Sequence, residues 1–284
     1  MQLEKRHELI PINWNSPDLP TMPIVAQKLI ALLCEEERDT NELCTLIAQD
    51  PALTAKLLQV ANSALYSLST EVTSIKHAVV LLGQDEVIQL AISALLAKRF
   101  LTVAPELKEY ATKLWKHLLT TAYIAKDFDS DINEPDLYTL GILHDIGWLV
   151  LMSQAPSIFL SIVQEKAKPI DKIQEDWGVD HEYWGAKLLE KWGLPEPFQV
   201  AAFRHHHPLR DPGAPKYLLI ITLADFLAKK MGNCLFDYDI DVTSDDFIGV
   251  LDSLNLDLDA FEEMINWSIG EKEKIEEQFH MLSS

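Results

Sequence analysis

The chain has 284 residues, 48% hydrophobic and 24% charged, an ordinary composition for one or two folded domains with a sizeable core. Its formal charge of −20 opposes a phosphate backbone and excludes nucleic acid as a partner; it suits protein partners with basic surfaces, or a site whose positive charge comes from a metal. No apolar run is long enough to cross a membrane, and the opening MQLEKRHELIPINW lacks a signal peptide's apolar centre, so the cytoplasm is the expected compartment.

Residues 1–23 are punctuated by Pro11, Pro17, Pro20 and Pro23 and read as an extended lead-in. Helix is predicted from Ile24 to Cys34, with Val25, Leu29, Leu32 and Leu33 giving an apolar face. Asp39, with Glu42 three residues on, forms a capping-box pattern before Leu43, Leu46 and Ile47. Asp50 is a natural N-cap and Pro51 a natural first helical residue for a helix running to Ala61-Asn62-Ser63. Thr73 or Ser74 starts Ile75 to Leu82, Gly83 interrupts, and Asp85 to Phe100 resumes. The absence of strand-like alternation makes this first part all-helical. Three scattered cysteines give no disulfide framework, and Cys34 and Cys44 read as buried free thiols.

A long helix from Leu107 to Phe128 carries Trp115 and His117, and a polar loop, Asp127 to Glu134, follows. Pro135 opens a helix predicted to run unbroken to Ser153 through Gly141-Ile142-Leu143-His144-Asp145-Ile146-Gly147. Its apolar residues cover most of the circumference, so it is a buried helix, and His144 and Asp145 lie deep. Two adjacent ionisable side chains are not buried unless something satisfies them. Residues 155–180 supply a further helix and a turn. Asp180 caps a helix with His181, Trp184, Leu188 and Leu189 that ends at Trp192-Gly193-Leu194-Pro195. Pro197 to His205 is helix, closed by His205-His206-His207-Pro208; Tyr217 to Met231 carries Asp225; an acidic stretch follows (Asp237, Asp239, Asp241, Asp245, Asp246), and helix resumes at Asp259.

Taken singly, His117, Asp225 and the histidine run each read as structural: a boundary histidine, a helix cap, a helix C-terminus. Together, His117, His144, Asp145 and Asp225 on three helices form the imidazole and carboxylate set of iron, manganese or zinc, built as bundles build metal sites. His181, His205 and His206 offer further ligands for a second ion or a phosphate.

The pattern resembles the HD superfamily of metal-dependent phosphohydrolases, whose His, adjacent His-Asp pair and later Asp fall on His117, His144-Asp145 and Asp225. It is more similar to the HDOD family, the HD-related output domain of bacterial signalling. Five stretches carry the likeness: Leu19 to Pro23; Asp50-Pro51-Ala52-Leu53-Thr54 with Ala61-Asn62-Ser63-Ala64; Ser74 to Ala78 with Leu82-Gly83; Gly141 to Gly147; and Gly185 to Pro195 with His205-His206. The resemblance implies an all-α multi-helix bundle, an N-terminal helical part (1–103) packed on an HD-like helical domain with an acidic C-terminal extension (104–284). It also implies a regulatory role through a signalling protein partner. The related HD-GYP phosphodiesterases resemble this chain at His181, His205 and His206, but their GYP signature is replaced by His207-Pro208-Leu209-Arg210. Lys113 stands where they place a glutamate, one helical turn before the first histidine. A lysine there would repel a second cation, so one ion is expected rather than two. Two functions follow: a regulatory interaction module that retains the metal site, or a phosphohydrolase acting on a nucleotide or cyclic dinucleotide.

Overall fold

The computed structural model describes residues 10–35, 37–128, 135–165, 170–210, 213–236 and 244–283. All regular structure among them is helical, and no single helix is long and apolar enough to cross a membrane. Asp237, Asp239 and Asp241 of the acidic stretch, and the loop after Phe128, lie outside the described residues. The chain divides into two compact units: residues 21–102 with 271–284, and residues 1–20 with 103–270. A single division at 103/104 was expected, and the last helix instead joins the first unit.

The smaller unit holds α1 (Ile24–Leu33), α2 (Thr40–Ala48), α3 (Pro51–Ala61), α4 (Ile75–Leu82), α5 (Gln84–Phe100) and α16 (Lys272–Ser283). The capping residues act as read: Asp39 accepts from the Asn41 N–H, Asp50 from Ala52 and Leu53, and Ser74 from His77. Gly83, at φ 91°, separates α4 from α5, a conformation that a residue without Cβ adopts at no steric cost. The loop after α3 is tied by Asn62, whose amide donates to the carbonyls of Leu58 and Val72 (both 2.8 Å) and accepts from the Val72 N–H at 2.7 Å. Helix α5 is buried almost all round and forms the axis of the unit, with α1, α3, α4 and α16 against it. From α16, Ile275, Phe279 and Leu282 enter this core, and Lys56 Nζ donates to the Met281 carbonyl at 3.0 Å. Cys34 is exposed and Cys44 half-buried, a correction to the expected buried thiols: Cys34 follows the last residue of α1, and Cys44 lies away from the buried Leu43, Leu46 and Ile47 of α2.

The larger unit is built from α6 (Lys108–Lys126), α7 (Leu137–Leu143), α8 (Gly147–Gln154), α9 (Pro156–Val163), α10 (Ile170–Trp177), α11 (His181–Lys191), α12 (Glu196–Arg204), α13 (Lys216–Lys230), α14 (Asp245–Ser253) and α15 (Leu258–Gly270). Helices α6, α7 and α13 pack against one another, α8 lies on α11, and α12 joins the two groups. The helix expected over Pro135 to Ser153 starts instead at Leu137, capped by Asp136 accepting from the Thr139 N–H, and it breaks at residues 144–146. Two close backbone approaches accompany that break. A Cβ on Gly141 would sit 2.6 Å from Ala122 Cα of α6, and one on Gly147 would sit 1.8 Å from the His181 carbonyl oxygen. Residues 155–180 form two helices rather than one. Trp115, Trp148 and Trp184 are the largest fully buried side chains among the described residues.

Candidate metal centre

The break between α7 and α8 places His144, Asp145 and Ile146 on a turn that keeps right-handed helical dihedrals at His144 and Ile146, and both polar side chains are buried in the unit's interior. Helix α6 brings His117, the start of α11 brings His181, the end of α12 brings His205 and His206, and the middle of α13 brings Asp225. His144, His181 and His205 are fully buried, and His117, Asp145 and Asp225 nearly so.

Asp145 is the hub. Its Oδ1 lies 3.0 Å from His181 Nε2 and 3.2 Å from His205 Nε2; its Oδ2 lies 3.5 Å from His117 Nε2 and 3.8 Å from His144 Nε2. Asp225 Oδ1 is 3.1 Å from His117 Nε2 and 3.8 Å from His144 Nε2. The ligand-type atoms form two groups that share Asp145: His117 with His144, and His181 with His205 and His206. The rings of His144 and His205 meet edge to face at 4.8 Å, so the two groups adjoin.

The far side of each imidazole fixes which nitrogen faces inward. His117 Nδ1–H donates to the Asn233 carbonyl at 2.9 Å, His144 Nδ1–H to that of Gly141 at 2.8 Å, and His205 Nδ1–H to those of Ala201 and Ala202, both at 3.1 Å. Each then turns its Nε2 toward carboxylate oxygens. Inside the site, the Nε2 atoms of His117, His144, His181 and His205, with Asp145 Oδ1 and Asp225 Oδ1, lack a hydrogen-bond partner. Imidazole nitrogens facing carboxylate oxygens in a buried site call for positive charge between them, a proton or a metal ion. Imidazole and carboxylate donors suit a borderline divalent ion, and the backbone carbonyls behind the rings are the usual support for such ligands.

The electrostatics agree. Burial pushes His117 down, but Asp145 and Asp225 beside it outweigh burial and raise it to about 9. His205 is likewise raised, Asp145 overcoming burial. Burial holds His144 below its ordinary value, and His206, the least covered of the set, is held well below by burial and by His205 and Lys229. Both carboxylates stay well below the usual range despite burial, held there by His144 and His181 at Asp145 and by Lys229 and His117 at Asp225. Each of the two groups thus contains one raised and one lowered histidine, and the proton on the raised one occupies the place of a cation.

Two contributors were not read from the sequence. Lys229 Nζ reaches Asp225 Oδ2 at 2.5 Å, leaving Oδ1 for the site, and is itself almost fully buried. Asn233 holds His117 by its carbonyl and Thr120 Oγ1 by its side-chain amide at 3.0 Å. The signal for Lys229 was its place one turn after Asp225 on the same face; Asn233, next to a glycine, reads as a turn residue. Lys113 does not lie as expected. Its ammonium pairs with Glu109 at 2.8 Å over the Tyr110 ring and is half-exposed, so it places no charge against His117. Trp148 stacks on His181 at 4.6 Å and 11°, fixing that ring's plane.

A raised His117 has a consequence for the metal-free protein. Its folded value lies above its unfolded value near 6.5, so its contribution to stability is complete below about pH 6.5 and is lost as pH rises through about 9. Chelator-treated protein should therefore lose several degrees of melting temperature between about pH 7 and about pH 9.5. Metal-loaded protein should not, because a ligated nitrogen carries no proton to lose, and loading near pH 8 should release about one proton, read by calorimetry in buffers of different ionisation enthalpy.

An all-helical unit closed round a buried His-Asp hub, with the adjacent pair on a helix break, defines an HD-like helical protein. The model of the HDOD domain matches residues 19–208, and the chain belongs to that family. Its fold matches the crystal structure of an HDOD domain protein with unknown function from Geobacter sulfurreducens, at 25% identity and a TM-score of 0.79, covering 93% of each chain. It is 28% identical over 219 residues to an uncharacterized protein of Treponema pallidum (strain Nichols), covering 73% of this chain and 41% of that one. It is 30% identical over 95 residues to the cyclic di-GMP phosphodiesterase CdgJ of Vibrio cholerae, covering 32% of this chain and 21% of CdgJ. The chain therefore spans less than half the length of either curated relative.

Proposed function

We propose that this chain is a regulatory signal-transduction module that acts through a protein partner and retains an HD-type metal centre in its larger unit. The observation that supports it most is the set of inward-facing Nε2 and Oδ1 atoms without hydrogen-bond partners around Asp145. His117, His144, Asp145 and Asp225 would hold one divalent ion of iron, manganese or zinc. His181, His205 and His206 with Asp145 are the seat for a second ion or a phosphate. A bound ion of this kind lowers the pKa of a coordinated water and polarises a phosphoryl oxygen. The chain's own part is to keep the histidines in the ligating tautomer through the Gly141, Ala201, Ala202 and Asn233 carbonyls, to hold Asp225 by Lys229, and to exclude bulk water by burial.

The second group supports another reading, a phosphohydrolase or phosphodiesterase acting on a nucleotide or cyclic dinucleotide. Lys113 does not oppose it, since its charge goes to Glu109. Metal analysis of protein purified without a histidine tag separates the cases. Near-stoichiometric metal together with inactivity across a panel of nucleotides and cyclic dinucleotides fits the regulatory reading. Turnover that vanishes with chelator fits the enzyme. Protein that stays metal-free and gains no melting temperature from added manganese or iron sinks the metal centre in both.

A further inference from the structure

A groove of about 480 Å³ lies on the larger unit between the C-terminal end of α6 and the outer face of α15, away from the His-Asp cluster. Its floor is apolar: Ile124, Phe128, Leu256, Ala260, Met264 and Trp267. On α15, Ala260, Glu263, Met264 and Trp267 follow helical spacing, and with Leu256 they make a stripe roughly 16 Å long at 1.5 Å per residue. The neighbouring flank of α15 is anchored by Phe261, edge to face with Phe247 at 4.9 Å, so the helix is held beside the stripe. Trp267 is 37% exposed, a large apolar surface to leave in water.

The charged residues that line this groove have one sign. Its two charged lining residues, Asp127 and Glu263, are both acidic. Asp257, Asp259 and Glu262 are exposed on or beside α15. From Met231 to Gly270 the sequence has ten Asp and Glu and no Lys, Arg or His, which is half of the whole chain's net charge.

We propose that this groove docks a basic amphipathic helix of a partner protein, its apolar side chains seated on Met264 and Trp267 and its Lys or Arg residues paired with the exposed Asp259 and Glu263. Three turns of helix match the stripe, and an acidic rim about an apolar floor selects that chemistry over an acidic or purely apolar segment. The inference rests on the interaction half of the function proposed above and on none of the metal centre.

The test uses the full chain and a synthetic helical peptide of leucines on one face and lysines on the other, followed by fluorescence anisotropy. Binding is expected in both metal-loaded and chelator-treated protein. Trp267→Ala and Glu263→Lys should each weaken it by about tenfold or more, and Glu263→Lys, at an exposed residue, should leave the melting temperature unchanged. Leu258→Ala, exposed elsewhere on α15, and Glu106→Lys, a carboxylate outside the groove, should leave it intact. Failure of the peptide to bind, equal binding of a glutamate-for-lysine peptide, or an equal loss from Glu106→Lys would overturn the assignment, the last showing only diffuse charge. So would sedimentation showing a self-associated form that Trp267→Ala disperses, since the groove would then be closed by a second copy.

Discussion

Replacing Asp145 with alanine is expected to strip the protein of metal altogether. Its two oxygens face four histidine nitrogens, two on each side, so one substitution disables both groups. Bound metal should fall from near-stoichiometric to background, an affinity loss of at least about 100-fold, since disturbing even the outer supports of a ligand costs about 10–100-fold. Added manganese, which at 100 times its dissociation constant stabilises a protein by about 2.7 kcal/mol, should no longer raise the melting temperature. The shift on metal addition is the right readout: in metal-free protein the variant also removes the carboxylate that raises His117 and His205, so its basal stability moves for a separate reason. Asp225→Ala makes the sharper comparison. Among the described histidines, Asp225 lies beside His117 and His144, so its loss should spare the group of His181, His205 and His206. An Asp145→Ala protein that keeps its full metal content would show that the ligands have been misassigned.

Gly147→Ala is expected to be the most destabilising single-methyl change in the larger unit. The added Cβ would lie 1.8 Å from the His181 carbonyl oxygen and 2.8 Å from Gly185 N, and both obstacles are backbone, so no rotamer relieves them. Overpacking a core costs about 1–3 kcal/mol when side chains can give way and more when they cannot. A loss of about 3 kcal/mol or more should lower the melting temperature by roughly 6–12 °C. Because the clash falls on the residue that carries the His181 ring, metal content should fall with stability. Gly193→Ala serves as a contrast: its cost is strain at φ 72° in open space, with no clash and no bearing on the site. An unchanged melting temperature for Gly147→Ala would mean that α8 and α11 do not approach as closely as described.

These two residues show how far the sequence could be read. Short-range chemistry was legible: Asp39, Asp50, Ser74 and Asp180 each accept from an N–H two or three residues on, and Gly193 ends α11 at positive φ. The helix break at residues 144–146 was not. Apolar residues run through it without a change of period, and the break accompanies close approach between Gly147 and a carbonyl 34 positions away, which no local pattern records. The site residues were legible as types in a family-like spacing, and the fold brings all seven together. Lys113 was read from its number alone, one turn before His117, whereas the direction of a long flexible side chain follows its partner, here Glu109. Lys229 and Asn233 were missed because each is commonplace at a helix end, and only the tertiary structure shows what they hold.

The position of α16 bears on how the chain is made. Residues 21–102 leave the ribosome early, yet the core around α3 and α5 lacks Ile275, Phe279 and Leu282 until some 170 further residues have been synthesised. Through that interval the apolar flank that α16 will cover stays wet. The smaller unit, begun early, is thus completed last, while the larger unit, with residues 1–20 already made and the rest running from 103 to 270, can close around its His-Asp hub in the meantime. Chaperone demand during synthesis should accordingly concentrate on the early helices rather than on the metal-binding half.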